Sequence, residues 1–413
     1  MSIELKMAVR NVSRNRRRSV MTVLAVAFAT TLLIFMLSWQ LGSYATMIDA
    51  TVRFQSGHLQ IQARGYRERM EVFRVVPSPG RLLPLVESLP GYRASTFRGN
   101  AFALVSASER TYGCAVIGVD PAREGTVSPL PTLVREGEFL RSGSAPEALV
   151  GALLAKNLRV GVGDELILLG QGRDGSVAAT AVTVRGIFRS GQDSFDRSTL
   201  ILPLRFFQET FSMGDSVHQV IILLDSLSVV KEAKKRLQGE LSRLQGGEKL
   251  VVLDWIELLP GLVDAIKMDL SSGFIFYIIL IVVVAFSIMN TFLMAVFERK
   301  KEFGILVAVG VRPGRLAKVL LLESFTITGL GVLLGILMGS AVTLYFQSRG
   351  IEIRGAAELL RQFGLPTRMY PRLSPVSVAV GSGLVFLITF ITALYPAGLA
   401  MKIKPVEAMG KGF

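Results

Sequence analysis

The chain alternates between long apolar stretches and one long segment of mixed character. Four windows carry no charged side chain: residues 19–48, 270–297, 324–348 and 373–401. Each exceeds the roughly 20 residues that a helix needs to cross a bilayer. Their surplus length predicts helices that tilt or project beyond the membrane. A cleavable signal peptide is the rival reading of the first window, because basic residues precede it. The apolar part is longer than the roughly 7–15 residues of such a leader, which favours a span.

The mixed segment, residues 43–269, has short-period patterning. In "GHLQIQA", residues 57–63, Leu59, Ile61 and Ala63 alternate with polar positions, which predicts a half-buried strand. "TYGCAVIGVD", "DELILLG", "AVTVRGIF", "STLILPL" and "HQVIILLD" are further short runs rich in β-branched residues and bounded by turn formers. Between them, "EALVGALLAKNLRVGVGD" predicts a helix closed by the glycine-rich turn at 161–164. Residues 226–245 predict a helix with Leu227, Val230, Leu237, Leu241 and Leu244 inward and Lys231, Lys234, Lys235 and Arg236 on the wet face. Helical signals resume at "DWIELLPGLVDAIKMDL", where Pro260 and Gly261 mark the start of a stalk that runs into the second span. The fold class is therefore an α-helical membrane protein with four transmembrane helices, one plus three, and a large α+β extracytoplasmic domain inserted between helices one and two.

Charge then sets orientation. Residues 1–18 carry six Lys/Arg and one acid, 298–318 six and two, and 402–413 three and one. Residues 43–269 are nearly balanced, with 26 basic and 25 acidic side chains. Short loops with basic excess belong in the cytoplasm, which predicts N and C termini inside and the 43–269 domain outside. The loop 349–372, with five basic and two acidic residues, dissents, because the span count places it outside. The formal net charge of +14 thus reads as a topology signal, not as nucleic-acid binding.

Several chemistries are excluded. No lysine precedes a serine or threonine, so there is no P-loop of the Gly-Lys-Ser/Thr type. Two histidines, His58 and His218, and the single Cys114 are too few for a zinc site of the usual Cys/His kind. Cys114 reads as a buried small hydrophobe. There is no Gly-x-Ser-x-Gly elbow. No enzyme is expected, nor any catalytic, metal or cofactor-binding residue.

The most informative stretch is "FERKKEFGILVAVGVRPGRL", residues 297–316. Charge clusters at its entry, in Glu298, Arg299, Lys300, Lys301 and Glu302. Phe303, Leu306, Val307 and Gly310 then share one helical face, and Pro313-Gly314 is expected to stop the helix. Two readings stand side by side on these residues: a snorkelling interfacial helix that turns the chain round, or a docking surface. In span three, Gly331, Gly335 and Gly339 are spaced four apart, a small-residue stripe for close helix packing within the chain or against a second copy. Glu323, near the inner end of that span, is costly in lipid and must face protein or headgroups.

The stretch "ERKKEFGILVAVGVRPGRLAKVLLLES" resembles the cytoplasmic loop of the MacB/LolC/LolE/FtsX superfamily of ABC transporter permeases, and the segment "FQSGHLQIQARGY" directly after span one is more similar to the lipoprotein-releasing LolC/LolE type than to MacB. "MAVRNVSRNRRRSVMTVLAVAFATTLLIF", "GALLAKNLRVGVGDELILL" with "VRGIFRSG", and "YPAGLAMKIKPVEAM" are similar to other parts of the same proteins, in the same order. The resemblance implies that the loop is a coupling helix docked in a groove of an ATPase, with Glu298, Arg299, Lys300, Glu302, Gly304, Leu306 and Gly310 as coupling residues. It implies a cytoplasmic amphipathic N-terminal segment at 1–18, a first span at 19–48, and a two-lobed periplasmic core domain at 49–265. The stalk end and second span follow at 266–297, the coupling loop at 298–318, the third span at 319–348 and a periplasmic loop at 349–372. The fourth span covers 373–401 and a cytoplasmic tail 402–413.

The implied function is mechanotransmission. A separate, dimeric cytoplasmic ABC ATPase, which holds the ATP and magnesium, would drive periplasmic rearrangement. The implied partners are that ATPase, a second permease chain in a homo- or heterodimer, a periplasmic carrier or adaptor, and membrane lipids. The implied location is the bacterial inner membrane. Release of lipoproteins is the first expectation for the substrate. Efflux of small molecules or peptides of the MacB type, and FtsX-like action on a cell-wall hydrolase, are the alternatives.

Overall fold

The computed structural model describes residues 16–141, 143–244, 246–352 and 367–403, with Met7, Arg10, Val12, Arg14 and Gly355. Most of the basic segment before residue 16, much of the loop 349–372 and the tail beyond 403 lie outside the described residues, with the expectations attached to them. The chain divides into two compact units, one built on four long helices and the other running from Met47 to Asp264.

The four helices are Arg16–Thr51, Pro260–Glu298, Pro313–Arg349 and Pro375–Met401, and each is long and apolar enough to cross a membrane. They are called spans one to four below. At 1.5 Å per residue the 39 residues of span two extend about 58 Å, roughly twice a bilayer's hydrocarbon core. Span two starts at Pro260, the position marked in the sequence, because proline is tolerated in a helix's first turn. The bundle core takes Val26, Ala29 and Leu33 from span one, Ile288 and Phe292 from span two, Ile327 and Val332 from span three, and Val385 and Ala393 from span four. Span four begins with a capping box between Ser374 and Ser377, and Ser38 of span one bonds Ser377 at 2.9 Å.

The glycine stripe of span three lies against span one. A Cβ added at Gly331 would fall 2.7 Å from Val26 Cβ, at Gly335 2.5 Å from Thr30 Cβ, and at Gly339 3.1 Å from Thr31 Cα. Thr31 Oγ1 donates to the Gly335 carbonyl at 3.2 Å. The small-residue stripe thus forms an intrachain seam.

The second unit is built on a ten-stranded sheet. In chain order its strands are β1 (Leu59–Ala63), β2 (Tyr92–Ala107), β3 (Arg110–Val119), β4 (Val134–Gly137), β5 (Glu147–Gly151), β6 (Glu165–Gln171), β7 (Val177–Phe188), β8 (Thr199–Pro203), β9 (Gln219–Leu224) and β10 (Leu250–Asp254). The spatial order is β10-β1-β9-β2-β3-β8-β5-β7-β4, with β6 pairing β2 and β7. The β3–β8 and β5–β7 pairs are parallel, the others antiparallel. The 16-residue β2 pairs with β9 through its first half and with β3 and β6 through its second. One sheet therefore serves two large apolar cores, beside smaller clusters such as that around Leu149, Phe188 and Ile201. The first includes Leu59, Ile61, Val220, Ile222, Leu237 and Leu241; the second includes Val105, Val116, Val150, Leu166, Leu200 and Phe207.

Three expectations change here. Residues 147–151 form a strand, and only Ala152–Leu158 is helical. "EALVG" is buried along its whole length between β8 and β7, and sheet insertion outweighs the helix preference of Ala and Leu. β1 is buried on both faces, Gln60 and Gln62 included, because neighbours flank it and both sides are covered. In the helix Val230–Leu241, Val230, Ala233, Leu237 and Leu241 point inward, whereas Leu227 and Leu244 lie beyond its ends and are exposed.

Candidate coupling site

The loop between spans two and three folds into a helix, Lys300–Ala308, with Arg299 as N-cap. It ends in a left-handed turn at Gly310, where φ is +99°. Gly310 N–H donates to the Val307 carbonyl and Val311 N–H to the Leu306 carbonyl, both at 3.0 Å, which is the Schellman pattern. Glycine is thus required at 310 by the helix end itself. Pro313 does not stop this helix; it occupies the first turn of span three.

One face of the loop helix packs inward. Phe303 is buried with Val296, Leu316, Leu320 and Ala400, and Leu306, Val307 and Val311 pack against that cluster. Gly304 is buried as well. The opposite face carries Lys301, Ile305, Ala308 and Val309, all exposed, with Ile305 at 53% and Val309 at 81%. These four positions share a stripe at helical spacing.

The charged entry is engaged inside the bundle. Arg299 Nη1 donates to Glu323 Oε2 at 3.2 Å and its Nε to Glu302 Oε2 at 3.1 Å, while its guanidinium lies 5.0 Å over the Phe303 ring. Arg18, from span one, donates to Glu323 Oε1 at 3.4 Å and to Glu298 Oε2 at 3.3 Å. Arg14 meets Glu302 at 3.5 Å on the exposed rim. The Glu323 side chain is only 4% exposed, and its two arginines 16% and 20%.

The coupling residues named from sequence therefore have distinct surroundings. Arg299 points inward, Gly304 and Leu306 pack toward the bundle, Gly310 closes the helix, Glu298 and Glu302 sit in rim pairs, and Lys300 is exposed. Sequence reasoning missed Arg18 as the partner of Glu323 and missed the exposed stripe Lys301/Ile305/Ala308/Val309. A lone acid in an apolar span does require a counter-ion, but nothing in the chain order says which arginine supplies it.

The chemical groups of the sheet unit are structurally engaged. His218 accepts from Asn100 N–H at 2.9 Å through Nδ1, contacts the Val72 carbonyl at 3.0 Å through Nε2, and stacks on Tyr66. The contact to a carbonyl makes Nε2 the protonated nitrogen. Burial pushes its pKa down to about 4, so the ring is neutral near pH 7. His58 Nδ1 accepts from Leu224 N–H at 3.0 Å, and burial lowers its pKa too. Burial pushes the Cys114 thiol up to about 12, which makes it a poor nucleophile.

Residues 19–240 match the family described as MacB-like periplasmic core domain, and residues 274–405 the family described as FtsX-like permease C-terminal. A lipoprotein-releasing system transmembrane protein LolC from Xylella fastidiosa is 25% identical, over 95% of this chain and 93% of its own length. A second LolC, from Neisseria meningitidis, is 23% identical over 79% of this chain and 80% of its own. A macrolide export ATP-binding/permease protein MacB from Nitrobacter winogradskyi is 25% identical over 65% of this chain but only 39% of its own length. Among solved structures, the periplasmic region of MacB from Actinobacillus actinomycetemcomitans matches 52% of this chain with a TM-score of 0.37 at 15% identity.

Proposed function

This chain belongs to the LolC/MacB/FtsX family of ABC transporter permeases, and from that premise we propose that it couples a separate ATPase to rearrangement of its sheet domain. The observation that carries the proposal is the two-faced loop helix. Its inner face is committed to the bundle, and its outer face presents Lys301, Ile305, Ala308 and Val309. Ile305, Ala308 and Val309 lie side by side on that face next to Lys301, and a contiguous apolar strip with a charged edge suits docking to a partner. The loop lies in the cytoplasm and the sheet domain outside, in accord with the basic excess of the short segments. Span two runs unbroken from Pro260 to the loop, a stiff element through which a push can travel.

The substrate is a lipoprotein leaving the inner membrane. Alignment with LolC along nearly the whole of both chains supports this. Efflux of the MacB kind is the second reading, supported by the MacB relative.

Purification of the tagged chain from its native membranes tests both parts. A P-loop ATPase should co-purify with wild type and be lost from the double variant Ile305→Glu/Val309→Glu, while Lys235→Glu in the sheet domain retains it. Equal retention in all three refutes the docking stripe. Photo-crosslinkers at positions 31–44 and 266–279 should capture an acylated lipoprotein; capture of soluble drugs or peptides alone assigns efflux instead.

A further inference from the structure

We propose that Glu323 is a positioning residue that locks the loop helix to span one, so that the two move as one body when the loop is pushed. The inference rests on the coupling role proposed above. Spans two and three are joined to the loop helix by backbone, since Glu298 ends one and Pro313 begins the other. Span one has no such connection and must be tied through side chains. Glu323 makes that tie with its two carboxylate oxygens. Oε2 accepts from Arg299, the N-cap of the loop helix, and Oε1 accepts from Arg18, near the start of span one. Glu298 and Glu302 extend the chain to Glu298–Arg18–Glu323–Arg299–Glu302, in which every neighbour is of opposite sign.

Burial decides which of these contacts can act as a lock. An exposed pair is screened and easily exchanged for water, which is the state of Arg14 and Glu302, 73% and 47% exposed. Glu323 has almost no access to water. Withdrawing either arginine leaves a buried carboxylate short of a partner, so separation is opposed strongly. Apolar packing does not supply the same constraint. The cluster under Phe303 draws on spans two, three and four, and such contacts tolerate sliding. The carboxylate fixes both partners in direction as well as distance.

The test uses the full complex with its co-purified ATPase in nanodiscs, in a Cys114→Ser background. Spin labels go on Met21→Cys of span one and Lys300→Cys of the loop helix, both exposed positions; because Lys300 is among the named coupling residues, ATPase retention is scored on the unlabelled chain and the labelled chain is used only once it matches it. With Glu323 intact, the interlabel distance should be narrow and unchanged between nucleotide-free and Mg-AMPPNP states. In Glu323→Gln the distribution should broaden and shift with nucleotide while the ATPase stays bound. Glu323→Asp, which keeps the charge, should restore the narrow distribution. A nucleotide-dependent shift with Glu323 intact overturns the lock, and so does an undisturbed distribution in Glu323→Gln. If Glu323→Gln fails to accumulate, the intact-chain measurement decides alone. An ATPase that binds while the labels move apart refutes only the lock; an intact chain that retains no ATPase refutes the coupling reading and the lock with it.

Discussion

Replacing Gly335 by alanine tests whether spans one and three are held at glycine distance. The added Cβ would lie 2.5 Å from Thr30 Cβ and 2.8 Å from the Ala27 carbonyl oxygen. Carbon–carbon contacts are comfortable at about 3.5–4.0 Å, so the helices must part by roughly 1 Å or the Thr30 side chain must leave its rotamer. Overpacking of this kind costs about 1–3 kcal/mol. Parting also stretches the bond from Thr31 Oγ1 to the Gly335 carbonyl, and interhelical bonds in membranes are worth about 0.6 kcal/mol. Alanine's better helix propensity returns about 1 kcal/mol. The net expectation is a destabilisation of about 0.5–2.5 kcal/mol.

Gly383 in span four is the control. A Cβ there meets nothing within 4 Å, so Gly383→Ala keeps only the propensity gain and should be neutral or stabilising. Steric-trapping measurements on the full chain in bicelles give both values on one scale. The two substitutions are chemically identical, and the contrast between them isolates packing. Gly335→Ala found as stable as Gly383→Ala would show that the seam is loose and the reasoning wrong.

Three other outcomes follow from the geometry. The depressed pKa of His218 means that the unfolded chain binds the extra proton, so its contribution is complete above the ordinary value of 6.5 and is lost as pH falls toward about 4, up to about 3 kcal/mol; hydrogen exchange of β9 amides should show this loss in wild type and a flatter profile in His218→Gln, and equal profiles would refute it. Gly310→Val forces a β-branched residue into a left-handed turn and should unwind the end of the loop helix, read as faster amide exchange at Val309–Val311 with the spans unchanged. Cys114, buried with a raised pKa, should resist maleimide at pH 7 in the native chain and react fully in denaturant; rapid native labelling would contradict its placement.

The spans were legible because run length in apolar residues is a local, one-dimensional signal. Short strands such as β3 and β9 were legible for the same reason, through composition and bounding turn residues. Strand β2 was not. Its buried positions include Ser95, Thr96 and Arg98, which look exposed in a sequence. Thr96 and Arg98 are buried because Glu124, on the covering helix Pro121–Val127, pairs with Arg98 and accepts from Thr96 and Ser128, while Ser95, on the other face of the strand, bonds the Tyr92 hydroxyl at 3.0 Å. That polar patch satisfies itself only across 26 residues of sequence. The loop helix was half legible. Its amphipathic pattern identified Phe303, Leu306 and Val307 as one face, but the pattern cannot say whether a partner or the chain's own spans cover that face. The spans do.

Glu323 carries the same lesson further, since its cost indicates what it is for. A leucine at 323 would fill the space among spans one, two and three without desolvating a charge, and buried ion pairs are often no more stabilising than apolar replacements of like volume. An apolar contact, however, accepts many rotations of one helix about another. A carboxylate that must satisfy Arg18 and Arg299 at once accepts few. Farther along span three, the Gly331/Gly335/Gly339 seam brings span one close through small, smooth surfaces crossed by the bond from Thr31 Oγ1 to the Gly335 carbonyl, and a neutral hydrogen bond opposes axial rotation less than a buried ion cluster does. The two devices act on the same pair of helices at different points, the seam setting how near span one lies and the ion cluster setting which way it faces. A loop helix that is to pass on a push needs the second constraint more than the first, because a span free to turn about its axis would absorb the displacement.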